Sequence, residues 1–188
     1  MSRRVVGAAG LVAIVGAVAA GALHDVTPRF EDTKLTTYRD LGGVLTYCTG
    51  ATENAQWGTT YTPEQCRAQL DRDLERHAAG IARCVPMGQL TDGQKVAFVD
   101  AAYNIGVDNF CGSSMARRAN AGDMVGACDA LLAWNKVKVW RPVIGPDGKP
   151  VKGANGKVVM RQVLEEVRGL TRRRAAEREL CLAGMVRP

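Results

Sequence analysis

Only two histidines and no Cys-x-x-Cys pair occur in the 188 residues. The ligand supply for a zinc site is therefore missing. The same shortage excludes zinc-finger modules, and no RNA-recognition signature appears, so nucleic acid is not an expected partner. No Cys/His/Asn context stands out, which removes a cysteine nucleophile. The expected cofactor and metal content is none. No internal repeat or low-complexity tract follows residue 23. No charged residue interrupts the stretch from Val5 to Leu23.

Hydrophobic residues make up 46% of the chain and charged residues 23%, an ordinary globular balance. The length suits one domain with a real core and a short extension. Net charge is +6. That surplus suits an anionic partner such as a cell-wall polymer or a membrane surface.

The uncharged N-terminal stretch is about as long as a membrane-spanning helix. Arg3 and Arg4 precede it and should hold the N-terminus in the cytoplasm. Gly and Ala supply most of it, so its hold on lipid should be shallow. Three readings stay open. Ala20-Gly21-Ala22 offers a signal-peptide cleavage site; the segment is a permanent anchor; or it inserts first and is released later, which is the preferred reading. The chain then divides into an apolar N-terminal helix within residues 1–28, touching the inner membrane through residues 5–23, and an exported domain over residues 29–188.

Six cysteines lie outside that segment, and an even number in an exported chain argues for disulfides. Six cysteines allow fifteen pairings. The preferred set is Cys48–Cys66 and Cys84–Cys111, each close in sequence, and Cys128–Cys181, tying the helix that ends at Trp134 to the C-terminal helix.

Helix signals are plain further along. Thr62-Pro63-Glu64-Gln65 reads as an N-cap, a first-turn proline and a capping-box glutamine, opening a helix to about Cys84 with Leu70 and Leu74 on its inner face. Leu90-Thr91-Asp92-Gly93-Gln94 repeats the device before Val96, Phe98, Val99, Ala102 and Tyr103, a buried central helix. Asp123 opens another, with Met124, Cys128, Leu131, Leu132 and Trp134 inward. Residues 141–162 read as a basic hairpin with turns at 145–149 and 153–157, an exposed elaboration in preference to a substrate contact. Arg173 and Arg174 lie on the last helix, where charge runs are mostly solvated faces.

The residues that carry chemistry are Glu31, Asp40 and Thr46. Two carboxylates beside one cleft can divide acid and base work, one donating a proton to a leaving oxygen and the other activating water. A gap of roughly 6.5–9.5 Å between such carboxyls admits a water and gives inversion. Leu41-Gly42-Gly43-Val44 reads as a tight turn and Val44 to Tyr47 as a strand, which would set Asp40 and Thr46 opposite each other, facing Glu31.

The spacing of these three, with Tyr38 and Gly43 at matching positions, resembles the active-site segment of the phage-type lysozymes, glycoside hydrolase family 24. Tyr103-Asn104-Ile105-Gly106 through Phe110 and the run from Gly169 to Cys181 resemble the same family. Departures are Asp32 and Lys34, which replace a usual Gly and Arg, and the loss of a Gly-His after Thr46. The resemblance spans about residues 29–183. It implies an α+β fold: a mainly helical large lobe, a small lobe with a short antiparallel sheet, and a cleft between them. It implies hydrolysis of the β-1,4 bond between N-acetylmuramic acid and N-acetylglucosamine in peptidoglycan, with Glu31 as general acid and Asp40 and Thr46 holding the water. Asn104 is a candidate cleft residue or a helix cap. The N-terminal stretch resembles the signal-anchor-release segments of endolysins from phages of Gram-negative hosts. On that reading the protein is a monomer, tethered to the inner membrane and then released to the periplasm to lyse the cell. A tethered wall-binding module without catalysis, and a lytic transglycosylase, are the alternatives.

Overall fold

The computed structural model describes residues 7–31, 33–40 and 43–183. The N-terminal apolar stretch, expected as one helix, is two: α1 (Gly7–Val15) and α2 (Ala17–Val26). Gly16 separates them at φ 89°, a conformation that costs glycine little and other residues more. Among the described residues no helix is long and apolar enough to cross a membrane. Both helices instead pack into the core, α1 against α3 (Pro63–Ile81) and α2 against α4 (Asp92–Ile105). Leu11, Val15, Ala19 and Leu23 are fully buried there. Burying each of the larger three stabilises the fold by roughly 1.5–3 kcal/mol. His24 Nε2 lies 2.7 Å from Asp71 Oδ1, which fixes α2 to α3 by a polar contact as well.

Both expected capping boxes are present. The Thr62 hydroxyl accepts from the Gln65 amide and Gln65 reaches back to the Thr62 amide, and Thr91 and Gln94 do the same for α4. The middle of α4 is buried on nearly every side, from Val96 through Ala102. Phe98 meets Phe110 of α5 (Val107–Cys111) with ring centroids 5.4 Å apart. Helices α6 (Ser114–Asn120), α7 (Met124–Asp129) and α8 (Arg168–Leu182) complete the large lobe. After Asp129 the chain tightens into a 3-10 turn, Ala130–Ala133. The tighter winding rotates Leu132 outward, where it is 43% exposed, against its expected inward place.

The small lobe is an antiparallel pair, β1 (Lys34–Arg39) and β2 (Leu45–Cys48). It has its own core of Tyr47, Cys48, Ala51 and Cys66, with Tyr61 stacked on Tyr47 at 4.5 Å. Three disulfides join Cys48 to Cys66, Cys84 to Cys111 and Cys128 to Cys181, the three pairs preferred from the sequence. The first fastens the small lobe to α3; the last fastens α7 to α8. A second antiparallel pair, β3 (Lys136–Pro142) and β4 (Met160–Glu166), stands between α7 and α8 in the chain and, among the described residues, forms a sheet separate from β1–β2.

Candidate active site

Glu31 follows the short 3-10 turn Thr27–Arg29 that ends the N-terminal helices. Its position therefore depends on how α2 is packed. The carboxylate accepts a hydrogen bond from Arg173 Nη1 of α8, and the Arg173 guanidinium also lies over the Phe30 ring, 5.5 Å from its centroid. Glu31 is thus gripped from the far end of the sequence.

Asp40 closes β1. Its Oδ1 accepts from the Val44 amide at 2.8 Å, its own amide donates to the Val44 carbonyl at 3.0 Å, and the Gly43 amide donates back to its carbonyl at 2.9 Å. Gly43 has φ 79°, the positive value the turn requires. Leu41 and Gly42 of the expected turn, and Asp32 after the acid, lie outside the described residues. Thr46 sits on β2, 3% exposed, and its hydroxyl donates to the Val44 carbonyl at 3.1 Å. Tyr38 is opposite Thr46 in the register. Asp40 is two residues beyond Tyr38, so side-chain alternation puts Asp40 and Thr46 on one side of the ribbon.

One contact closes the end of this ribbon nearest Glu31 in the chain, and one ties the ribbon to the large lobe. The Thr33 and Thr49 hydroxyls are 3.1 Å apart, and the Tyr103 hydroxyl of α4 donates to the Thr49 carbonyl. Burial raises the Tyr103 phenol, and the nearby charges of Asp73 and Glu31 add to the effect, so it stays a donor at any working pH. Tyr103 is therefore a strut between the lobes, close enough to Glu31 to feel its charge.

Behind Glu31 lies a group of buried polar side chains that corrects the reading of Arg173 and Arg174 as a solvated face. Both are almost wholly buried, as are Asp100 and Glu177. Arg173 grips Asp100 with two parallel bonds, Nε to Oδ2 at 3.0 Å and Nη2 to Oδ1 at 2.9 Å. Such a fork-to-fork pair fixes orientation as well as charge. Arg174 Nη2 donates to Glu177 Oε1 at 2.6 Å and to Asn104 Oδ1 at 3.2 Å. The carbonyl of Asn104 is thus occupied by the interior network, and Gly106, not Asn104, caps α4. A signal for this cluster was present in the sequence: Asp100 is the lone acid within Val96-Ala97-Phe98-Val99-Asp100-Ala101-Ala102, and a charge on a buried helix face requires a partner.

Burial pushes the Glu177 carboxyl up to about 9, with the neighbouring Asp100 adding to the rise and the two guanidiniums opposing it. In the unfolded chain a glutamate titrates near about 4.3. The folded protein therefore keeps a proton that the unfolded chain releases between these values, and this stabilisation is lost as pH rises through that window. Glu177→Gln keeps the shape and removes the titration. Thermal melts across about pH 5 to 9 should show a shallower decline for the variant than for the parent; parallel curves would contradict the assignment.

A large helical lobe joined to a small two-stranded antiparallel sheet is the architecture of the lysozyme-like class. Residues 28–177 match the phage lysozyme family, and the chain belongs to that family. It is 33% identical over 148 residues to the SAR-endolysin of Enterobacteria phage P21, covering 78% of this chain and 74% of that one. It is 32% identical over 168 residues to the SAR-endolysin of Pseudomonas phage phiKMV, covering 89% of each. Among solved structures, the endolysin from Escherichia coli O157:H7 phage FAHEc1 superposes with a TM-score of 0.66 at 26% identity, covering 88% of this chain and 94% of that one. The protein is a lysozyme-type, peptidoglycan-degrading endolysin.

Proposed function

We propose that the protein cuts the β-1,4 bond between N-acetylmuramic acid and N-acetylglucosamine by single displacement. Glu31 protonates the leaving oxygen. Asp40 and Thr46, on one side of the β1–β2 ribbon, hold and polarise the water that attacks from the opposite face of the sugar. The anomeric configuration inverts. No metal or cofactor takes part, and one chain suffices. The reading is supported by the Glu31 carboxylate being held by Arg173 from α8 in a chain whose residues 28–177 match the phage lysozyme family. Zymography on peptidoglycan tests for activity, and mass spectrometry of the products tests the reaction. Reducing muropeptide ends are expected; anhydro-muropeptide ends would identify a lytic transglycosylase, and a clear absence of cleavage would leave a wall-binding module.

The relatives' name suggests the route. Before release, residues 5–23 lie in the inner membrane and hold the rest of the chain on the periplasmic side. Leu11, Val15, Ala19 and Leu23 are then missing from the core, and Glu31, eight residues after Leu23, is pinned near the bilayer. Loss of the membrane potential frees the segment, which folds as α1 and α2 and brings Glu31 to Arg173. This is an order–disorder switch biased by the bilayer. Replacing Gly10, Gly16 and Gly21 with Leu strengthens insertion by a few tenths of a kcal/mol per residue or more, and Leu at Gly16 also opposes the positive φ of the folded form. The variant should stay in the membrane fraction after depolarisation, and its cells should not lyse. Lysis on the parental schedule would refute the release route.

A further inference from the structure

The β3–β4 ribbon serves no purpose in the site described above, yet its surface is unusual. Directly opposed residues of an antiparallel pair share a face. The register pairs Lys136 with Glu166, Lys138 with Leu164, Trp140 with Gln162 and Pro142 with Met160. One face therefore carries Leu164, Trp140 and Met160, which are 63%, 62% and 46% exposed. On the other face Val139 and Val163 are half-buried and Arg141 holds Glu165 through two bonds of 2.5 and 2.6 Å. Past the ribbon, the tip leaves Ile144, Val158 and Val159 exposed as well. From Lys136 to Glu166 there are seven Lys or Arg and three Asp or Glu, a net +4 within a chain of net +6. Two of the three acids are engaged at the base, Glu165 by Arg141 and Glu166 by the Thr171 hydroxyl at 2.8 Å. The basic surplus therefore lies toward the outer half, around the apolar side chains.

We infer that the β3–β4 ribbon is a membrane-surface contact, its Trp140–Leu164–Met160 face and Ile144 tip entering the headgroup layer of an anionic phospholipid bilayer while the surrounding lysines meet lipid phosphates. Trp is favoured at that depth because its ring is apolar and its N–H still finds a partner. Burying apolar side chains in the interface and attracting anionic lipid add to one another, and each lysine near such a surface adds to the attraction. A glycan strand fits the face less well. Sugars offer dense hydroxyls, and this face answers them with Leu, Met and Pro, and with Gln162 as its one uncharged side chain able to both donate and accept. The contact is independent of bond cleavage. It would keep the released enzyme at a membrane after α1 and α2 have left the bilayer.

The test uses the released, soluble full chain and vesicles of phosphatidylethanolamine and phosphatidylglycerol, with pure phosphatidylcholine vesicles as the neutral control. The parent should sediment with the anionic vesicles and not with the neutral ones. Binding should fade as salt is raised toward about 1 M, where screening shortens to about 3 Å. Trp140→Ser with Leu164→Ser should weaken binding at least about tenfold, and so should Lys149→Glu with Lys152→Glu and Lys157→Glu. Both variants should keep the parental melting temperature and the parental rate on soluble glycan fragments, because these side chains are exposed and outside the site. Binding of the Trp140/Leu164 variant at parental strength would overturn the inference, since the apolar N-terminal residues would then be responsible. It would equally be overturned if the parent ignored vesicles and pelleted with purified sacculi through Trp140, which would make the face a glycan contact.

Discussion

Glu31→Gln is expected to lower peptidoglycan hydrolysis by about 10²–10⁴-fold, the usual contribution of a positioned general acid, while leaving the fold intact. Arg173 keeps its partners in this variant. Glutamine is isosteric, and its amide oxygen can still accept from Arg173 Nη1. The guanidinium retains its two bonds to Asp100 and its approach to Glu177 at 3.3 Å, so no buried charge is orphaned. The loss should therefore fall on turnover, with near-parental melting and near-parental affinity for glycan. Asp40→Asn should also cost heavily. Thr46→Ala should cost less, because a water can take the place of a hydroxyl. Full activity in the Glu31 variant would remove it from the mechanism.

Arg173→Met should have the largest effect on stability, about 3–5 kcal/mol, the usual consequence of removing one partner from a buried ion pair. Arg173 is 2% exposed and Asp100 is 0% exposed. Without the guanidinium, Asp100 is left as a carboxylate in an apolar interior, and Glu31 loses the donor that orients it. For a chain of this length the melting temperature should fall by roughly 10 °C, and activity should drop even where the variant remains folded. Pairing Arg173→Met with Asp100→Leu should recover much of the stability and none of the activity, because replacing both partners with apolar groups is often neutral or better. The asymmetry separates the two roles of the arginine: balancing charge in the core and holding the acid at the cleft. A single variant as stable as the parent would contradict this role of Arg173.

Much of this was legible from local signals. Thr62 and Thr91 announce their helices because capping chemistry is short-range, and Gly43 announces its turn because few residues accept its φ. The turn residues at 145–149 and 153–157 announce a hairpin over 141–162 for the same reason. The remainder depends on tertiary context. Val5 to Leu23 looks like a membrane helix because a Gly- and Ala-rich stretch carries no periodic mark of which side faces protein. In the folded form the positive φ at Gly16, and a core with room for Leu11, Val15 and Leu23, make residues 7–26 two packed helices. Arg173, Arg174 and Glu177 look like a solvated helix face because spacing alone does not reveal that α4 brings Asp100 against them. Leu132 misleads in the same way, since helical periodicity does not foresee a 3-10 turn. At the site itself, Asp40 and Thr46 are joined by a local turn and could be read together, whereas the grip on Glu31 comes from Arg173, 142 residues away.

Water held by Asp40 and Thr46 that attacks the sugar on the face opposite the Glu31 proton must invert the anomeric carbon. Proton NMR of a defined β-1,4-linked wall oligosaccharide, followed from the first turnovers, reads this directly. The α-anomer of the new reducing end should appear first and then relax to the equilibrium mixture. A first-formed β-anomer would mean that one of the carboxylates bonds covalently to the sugar, and the water-holding role given to Asp40 and Thr46 would be wrong.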